Sequence, residues 1–114
     1  MVSLYGVPTC KKIINTKALL EKNNIQYEFI NVKKSPLSES ELKNIVNILG
    51  LGNVLNSKGP TYRKLGLKDK NLSQAELFDE LLKEQGMITR PLIQKNKSFY
   101  VGYDEEKILA FLEL

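Results

Sequence analysis

Hydrophobic residues recur along the chain at helical or strand spacings, and these spacings predict its elements. A β-rich run, "MVSLYG", opens the chain and is followed by the turn residues Pro8 and Thr9. A helix is predicted from Lys11 to about Asn23, with its apolar face formed by Ile13, Ala18 and Leu20 and with Ile14 beside them. "IQYEFINV" then has the β-branched and aromatic content of a second strand. A compact βαβ unit of this kind predicts parallel strands.

The middle of the chain carries two capping-box patterns, each a helix start signal. Ser38 with Glu41 precedes apolar residues at i, i+3, i+4 and i+7: Leu42, Ile45, Val46 and Leu49. Gly50 is expected to end this helix. Ser73 with Glu76 repeats the pattern before Leu77, Leu81 and Leu82. The stretch between them is rich in turn residues and predicts only helical turns, near 53–56 and after Pro60.

The last part of the chain changes to strand spacing. "PLIQ" and "SFYVGY" predict two strands that Lys-Asn-Lys joins as a tight hairpin. Asp104 is expected to cap a final helix that buries Ile108, Phe111 and Leu112. The order is therefore βαβ, a helical middle and ββα. One domain over residues 1–114, a small mixed sheet with helices packed on it, is the simplest arrangement.

Composition limits the chemistry. The 114 residues include one cysteine and no histidine, which rules out an internal disulfide and Cys-His catalysis and disfavours a bound metal. The net charge is +4, but lysines and acids are interspersed, so we expect a solvated surface and no direct binding of nucleic acid. The chain has no apolar run long enough for a membrane span and no secretory signal at its start. We therefore expect a cytoplasmic protein.

The single cysteine, Cys10, falls after the first strand and at the start of the first helix. Ligand sites of open α/β sheets favour this edge. Unpaired N–H groups and the positive end of the helix dipole favour a thiolate there, and Lys11 and Lys12 add positive charge. A nucleophilic Cys10 is one interpretation; an inert, small, buried cysteine is the other.

Arg90 and Pro91 stand just before the third predicted strand. Proline is tolerated at the start of a strand because it needs no N–H there. A cis bond is rare even before proline, so the local sequence does not predict one. Taken alone, Arg90 is interpreted as an ordinary surface arginine.

Four segments in order resemble the ArsC/Spx family, the arsenate-reductase-like branch of the thioredoxin-fold superfamily. They are "LYGVPTCKK", "VLNSKGPTYRKLGL", "ITRPLI" and "FYVGYDEEKILAFL", and together they cover nearly the whole chain. The middle segment and the ending most resemble the YffB-like members. The resemblance implies a thioredoxin-like fold, a mixed four-stranded sheet with a helical insertion at about residues 36–88. It also implies that Pro91 is cis, beside Cys10, and that Arg90 points at the same site.

The chain departs from the family pattern in two ways. Arsenate reductases of this type place three arginines around the cysteine; Arg90 matches the second, whereas Asn56 and Gly102 stand at the other two positions. Lys58 and Arg63 are the candidates to restore part of the missing positive charge. Spx-type regulators commonly carry a Cys-x-x-Cys switch, which Ile13 makes impossible here.

Three functions follow as hypotheses from the resemblance. The first is a monothiol oxidoreductase that uses Cys10 as nucleophile and has glutathione, another small thiol or a thiol-reductase protein as partner. In it, Lys11, Lys12, Arg90, Pro91 and Lys58 would form the substrate or anion site, with no bound cofactor or metal. The second is an Spx-like regulator that binds RNA polymerase through the C-terminal domain of its α-subunit. The third is an arsenate reductase. A monomer is expected in each case.

Overall fold

A four-stranded sheet organises the molecule. The structure, a computed structural model, describes residues 1–113. The strands lie in the order β2-β1-β3-β4, and their bounds are β1 Val2–Gly6, β2 Tyr27–Asn31, β3 Leu92–Lys95 and β4 Ser98–Val101. β1 is parallel to β2 and antiparallel to β3, which is antiparallel to β4. The predicted mixed sheet, with its parallel βαβ half, is confirmed.

Alternating side chains of the two central strands feed two separate cores. Leu4 lies opposite Ile93 in the β1–β3 register, and both pack on one face with α1 (Lys11–Lys22) and α6 (Glu105–Leu112). The next pair, Tyr5 and Leu92, lies in the core on the other face, under the helical insertion. Because successive side chains point to opposite faces of the sheet, the β1–β3 pair contributes to the core on each face.

Helix α1 buries Ile13 and Leu20 as predicted, but the rest of its buried face differs from the prediction. Its buried residues are Ile13, Thr16, Leu19 and Leu20. Ala18 and Ile14 are exposed, Ile14 by 53%, so their assignment to the apolar face was wrong. Thr16 takes a core position because its hydroxyl donates to the Lys12 carbonyl at 2.6 Å, which satisfies the buried polar group.

Four helices lie between β2 and β3: α2 (Glu39–Leu49), α3 (Leu51–Val54), α4 (Pro60–Lys64) and α5 (Gln74–Lys83). Both capping boxes are present, at Ser38 and at Ser73. Gly50 ends α2 with a φ of 91°, a conformation that suits glycine. The helical turn predicted near 53–56 begins two residues earlier, at Leu51. Two 3₁₀ segments, Leu67–Lys70 and Gln85–Met87, were not predicted.

The predicted N-terminal cap of the final helix, Asp104, is confirmed. The Asp104 carboxylate accepts from the Lys107 N–H at 3.1 Å. Ile108 and Leu112 are the buried residues of α6. Phe111 is only half-buried, with its ring 5.7 Å from that of Tyr100. Within residues 1–113, no helix has the length and apolar character that crossing a membrane requires.

Candidate functional site

Cys10 is the N-cap residue of α1. Its backbone is extended, with φ −75° and ψ 128°, and its carbonyl accepts from the Ile14 N–H at 3.0 Å. Its own N–H donates to the Val7 carbonyl at 3.2 Å, which closes the turn after β1. The residue is half-buried and packs against both cores. The thiol therefore lies at the carboxyl end of β1, as the sequence predicted.

Lys11 and Lys12 form the first turn of α1 beside the cysteine. Both are exposed, and this turn has no acidic residue. The side chain of Cys10 makes no capping hydrogen bond. Free N–H groups at a helix start, together with the helix dipole and two lysines, favour an anion bound at this end of the helix.

The Arg90–Pro91 segment lies next to the end of β1. The peptide bond between the two residues is cis, as the family resemblance implied. Pro91 is buried and its carbonyl accepts from the Gly102 N–H at 3.0 Å, whereas Arg90 is half-buried. Cγ of Arg90 is 3.7 Å from the position that a Cβ on Gly6 would occupy. Arg90 therefore lies near Gly6, the last residue of the strand that leads to Cys10.

The helical insertion fixes the chain just before Arg90. Thr89 donates its N–H to the Val54 carbonyl at 2.7 Å, and Asn56 donates to the Met87 carbonyl at 2.8 Å. These bonds flank an isolated antiparallel bridge between Leu55 and Ile88. The end of α3 therefore sets the position of the segment that carries the arginine.

Gly6 is a site residue that the sequence did not single out. A Cβ here would lie 2.6 Å from Cγ1 of Ile13, which is fully buried. Ile13 occupies the third position after Cys10, where a Cys-x-x-Cys motif would have its second cysteine. An aliphatic side chain therefore takes the place of a second thiol. The signal available in the sequence was a glycine that closes a strand ahead of a cysteine.

Lys58 lines a cavity of about 500 Å³. The Asn56 side chain accepts from the Lys58 N–H at 3.2 Å, which shapes the loop. Thr89 also lines the cavity, but Cys10 and Arg90 do not. Lys58 and Thr89 thus line the same cavity, whereas Arg90 lies near Gly6.

The four predicted site cations have no acidic partner in the part of the chain that the structure describes. Within residues 1–113, no ion pair involves Lys11, Lys12, Lys58 or Arg90. In the same part of the chain, no group of acidic, cysteine or histidine side chains has the makings of a metal site. The roles predicted for these residues stay predictions.

The sequence profile of the ArsC family matches residues 5–111. The chain belongs to the ArsC family. It is 33% identical over 114 residues to the global transcriptional regulator Spx of Listeria innocua, covering 98% of this chain and 87% of the relative. The match to the family profile runs through Cys10, the insertion and the Arg90–Pro91 segment.

Solved structures agree with this assignment. A YffB protein superposes with a TM-score of 0.88 at 25% identity, over 96% of this chain and 97% of the other. An arsenate reductase from Vibrio cholerae superposes with a TM-score of 0.81 at 30% identity, over 96% and 95%. These likenesses confirm the predicted thioredoxin-like fold with its helical insertion. ArsC-family proteins of more than one function are thus similar to this chain.

Proposed function

We propose that this protein is a monothiol oxidoreductase with Cys10 as the nucleophile. The observation that carries the proposal is the position of Cys10, which is the N-cap residue of α1 and makes no side-chain capping hydrogen bond, at the edge of the sheet where Arg90 lies near Gly6. Thiolate is the reactive form of cysteine, and cationic surroundings at a helix start favour it. Membership of the ArsC family supports the same interpretation.

The reaction is a thiol–disulfide exchange in two steps. The Cys10 thiolate attacks the glutathione sulfur of a mixed disulfide, forms a Cys10–glutathione disulfide and releases the other thiolate, which takes up a proton. A second glutathione thiolate then attacks the bound glutathione sulfur. This releases glutathione disulfide and regenerates the Cys10 thiolate. The incoming glutathione thiol is the reductant, and the net reaction converts the mixed disulfide and one glutathione into glutathione disulfide and the free substrate thiol. An external thiol is required because Cys10 is the only cysteine in the sequence.

Arg90, Lys11 and Lys12 are proposed to hold the carboxylates of the incoming thiol. An arginine can bind a carboxylate through two parallel hydrogen bonds, whereas lysines act as point charges. We expect Arg90→Ala to slow reaction with an anionic disulfide more than with a neutral one. Arg90→Lys should recover part of the loss, because the charge is retained and the paired geometry is not.

The test is turnover of a glutathione mixed disulfide, coupled through glutathione reductase to the oxidation of NADPH. Wild type should turn over, and Cys10→Ser should not. Lys97→Ala, an exposed residue of the β3–β4 turn, is the matched surface control and should retain wild-type activity. Mass spectrometry of the wild type should also detect one glutathione on Cys10. Equal rates for wild type and Cys10→Ser would overturn the proposal.

The similarity to Spx of Listeria innocua favours a second candidate, a regulator that binds the C-terminal domain of the RNA polymerase α-subunit. Exposed lysines and arginines on and around α4, such as Lys58, Arg63 and Lys64, offer a basic surface for such a partner. Binding of this kind needs no thiol chemistry. Wild type and Cys10→Ser should therefore both retain the purified domain in a pull-down, and absence of binding by wild type would eliminate this candidate.

A further inference from the structure

Ile14 is an exposed isoleucine that lies one helical turn after Cys10. Its N–H donates to the Cys10 carbonyl at 3.0 Å, and residues four apart on a helix have Cβ atoms about 5–6 Å from each other. Its side chain is 53% exposed, and among the described residues it packs into neither core. A single exposed isoleucine is ordinary on a protein surface. The position of this one is specific, because a molecule that exchanges disulfides with Cys10 must lie over the same turn of α1.

The geometry of disulfide exchange brings the substrate close to Ile14. The Cys10 thiolate attacks one sulfur of a mixed disulfide, so the leaving sulfur lies two S–S bond lengths, or roughly 4 Å, from the Cys10 Sγ. Neighbouring residues of a peptide are about 3.8 Å apart at Cα. A side chain next to the leaving cysteine can therefore reach the exposed half of Ile14.

The chemistry of the mixed disulfide indicates which of its halves covers Ile14. Glutathione has carboxylates but no large apolar side chain. Its carboxylates suit Lys11 and Lys12, which have no acidic partner among the described residues. An apolar contact with Ile14 must therefore come from the other half, the substrate thiol.

A groove continues from this turn along α1. Its volume is about 380 Å³, and Asn15 and Ala18 line it from the helix while Tyr103 lines it from the segment after β4. Ala18 lies one helical turn beyond Ile14, about 12 Å along the helix axis from Cys10. An extended chain covers that distance in roughly four residues. A protein segment is therefore long enough to enter the groove from Cys10, whereas a small organic thiol is not.

We propose that Ile14 is a specificity-determining residue, and that the substrate is a glutathionylated protein with an apolar residue beside its modified cysteine. The apolar side chain packs on Ile14, and the residues that follow it lie in the groove between α1 and Tyr103. This inference rests on the proposed function, because it names the substrate class of the Cys10 reaction.

Two glutathionylated peptides that differ at one position test the proposal. One has leucine beside the modified cysteine and the other has serine, and kcat/KM for their deglutathionylation by glutathione is measured. Wild type should prefer the leucine peptide about fivefold, the effect of covering the exposed half of an isoleucine side chain. Ile14→Ser should bring the ratio of the two kcat/KM values to about one, since serine offers little apolar area. The ratio does not depend on the amount of active protein, so a partly unfolded variant does not change it.

Ile48→Ser is the matched control. Ile48 is also an exposed isoleucine, at 51%, and it lies on α2, which packs on the opposite face of the sheet from α1. This variant should keep the wild-type ratio. Equal kcat/KM for the two peptides in wild type, or the same loss of preference in both variants, would overturn the proposal.

A peptide that cannot exchange separates this inference from the proposed function. The leucine peptide with its cysteine replaced by serine is added to the protein, and binding is followed by amide NMR. We expect shifts at Asn15, Ala18 and Tyr103 that Ile14→Ser weakens. If both glutathionylated peptides turn over equally and the unreactive peptide shifts none of these amides, the role of Ile14 is wrong and the proposed function stands. If the amides shift but neither glutathionylated peptide turns over, Ile14 belongs to a peptide-binding surface and the proposed function is wrong.

Discussion

The buried side chain of Gln85 makes a reciprocal pair of hydrogen bonds with the backbone of Leu37. Its Oε1 accepts from the Leu37 N–H at 2.7 Å and its Nε2 donates to the Leu37 carbonyl at 2.8 Å. The two residues are 48 positions apart and lie at the start and at the end of the helical insertion. One glutamine therefore closes the insertion on itself, and it belongs to the core although it is polar.

We predict that Gln85→Ala lowers the free energy of unfolding by about 1–3 kcal/mol, because it leaves two buried backbone groups without partners. Urea denaturation measures the change. Gln74→Ala, at an exposed position of α5, should alter stability by less than about 0.5 kcal/mol. Similar losses for both variants would contradict this role for Gln85.

Any larger residue at position 6 should destabilise the fold, because the buried Ile13 side chain occupies the space that a Cβ on Gly6 would need. We predict that Gly6→Ala destabilises the protein by about 1–3 kcal/mol, as overpacking of a core usually does. Adding Ile13→Val, which removes a methyl group at the contact, should recover part of the loss. Gly52→Ala is the control and should be neutral or stabilising, since the site is open and helical. A neutral Gly6→Ala variant would refute the close packing.

Tyr27 should ionise at unusually high pH. The pKa of Tyr27 is raised to about 12, first by burial and then by the hydrogen bond from its hydroxyl to Glu21 Oε2 at 2.7 Å and the negative charge of Glu21. Because the pKa is higher in the folded protein than the ordinary 10.0, this group stabilises the fold below pH 10 and loses that contribution as the pH rises toward 12.

Site-specific NMR titration of the tyrosine ring measures this pKa. Glu21→Gln should move the pKa of Tyr27 part of the way back toward 10.0, since burial remains. Glu28→Gln, an exposed acid on β2, should leave it in place. An unchanged titration in Glu21→Gln would show that the hydrogen bond has no part in the shift.

Arsenate turnover should be undetectable in an assay coupled to glutathione and glutaredoxin. The family resemblance implies Asn56 and Gly102 at two of the three positions where arsenate reductases carry arginines, and hydrogen bonds to charged groups are worth about 1.5–3 kcal/mol each. Gly102 has a φ of 112°, which an arginine would adopt only with strain. A Vibrio cholerae arsenate reductase of the same family, measured in parallel, shows that the assay works. Turnover comparable to that enzyme would contradict the prediction.

Much of the fold could be predicted because its signals are local. The boxes at Ser38 and Ser73 depend on residues three positions apart, and both helices start where predicted. The βαβ and ββα halves followed from strand and helix spacings alone. The face that α1 buries could not be predicted in this way, because the sheet beneath it decides whether Ile14 or Leu19 points inward.

In the candidate site, too, local sequence signals predicted some features and tertiary packing decided the others. The sequence by itself placed Cys10 at the start of α1, with Lys11 and Lys12 after it, because strand, turn and helix signals are read within a few residues. The sequence also placed Arg90 and Pro91 just ahead of β3. Only the tertiary structure brought Arg90 against Gly6, joined Gln85 to Leu37 and opened the cavity beside Lys58. Those relations join residues far apart in the chain, and the packing of the insertion on the sheet creates them.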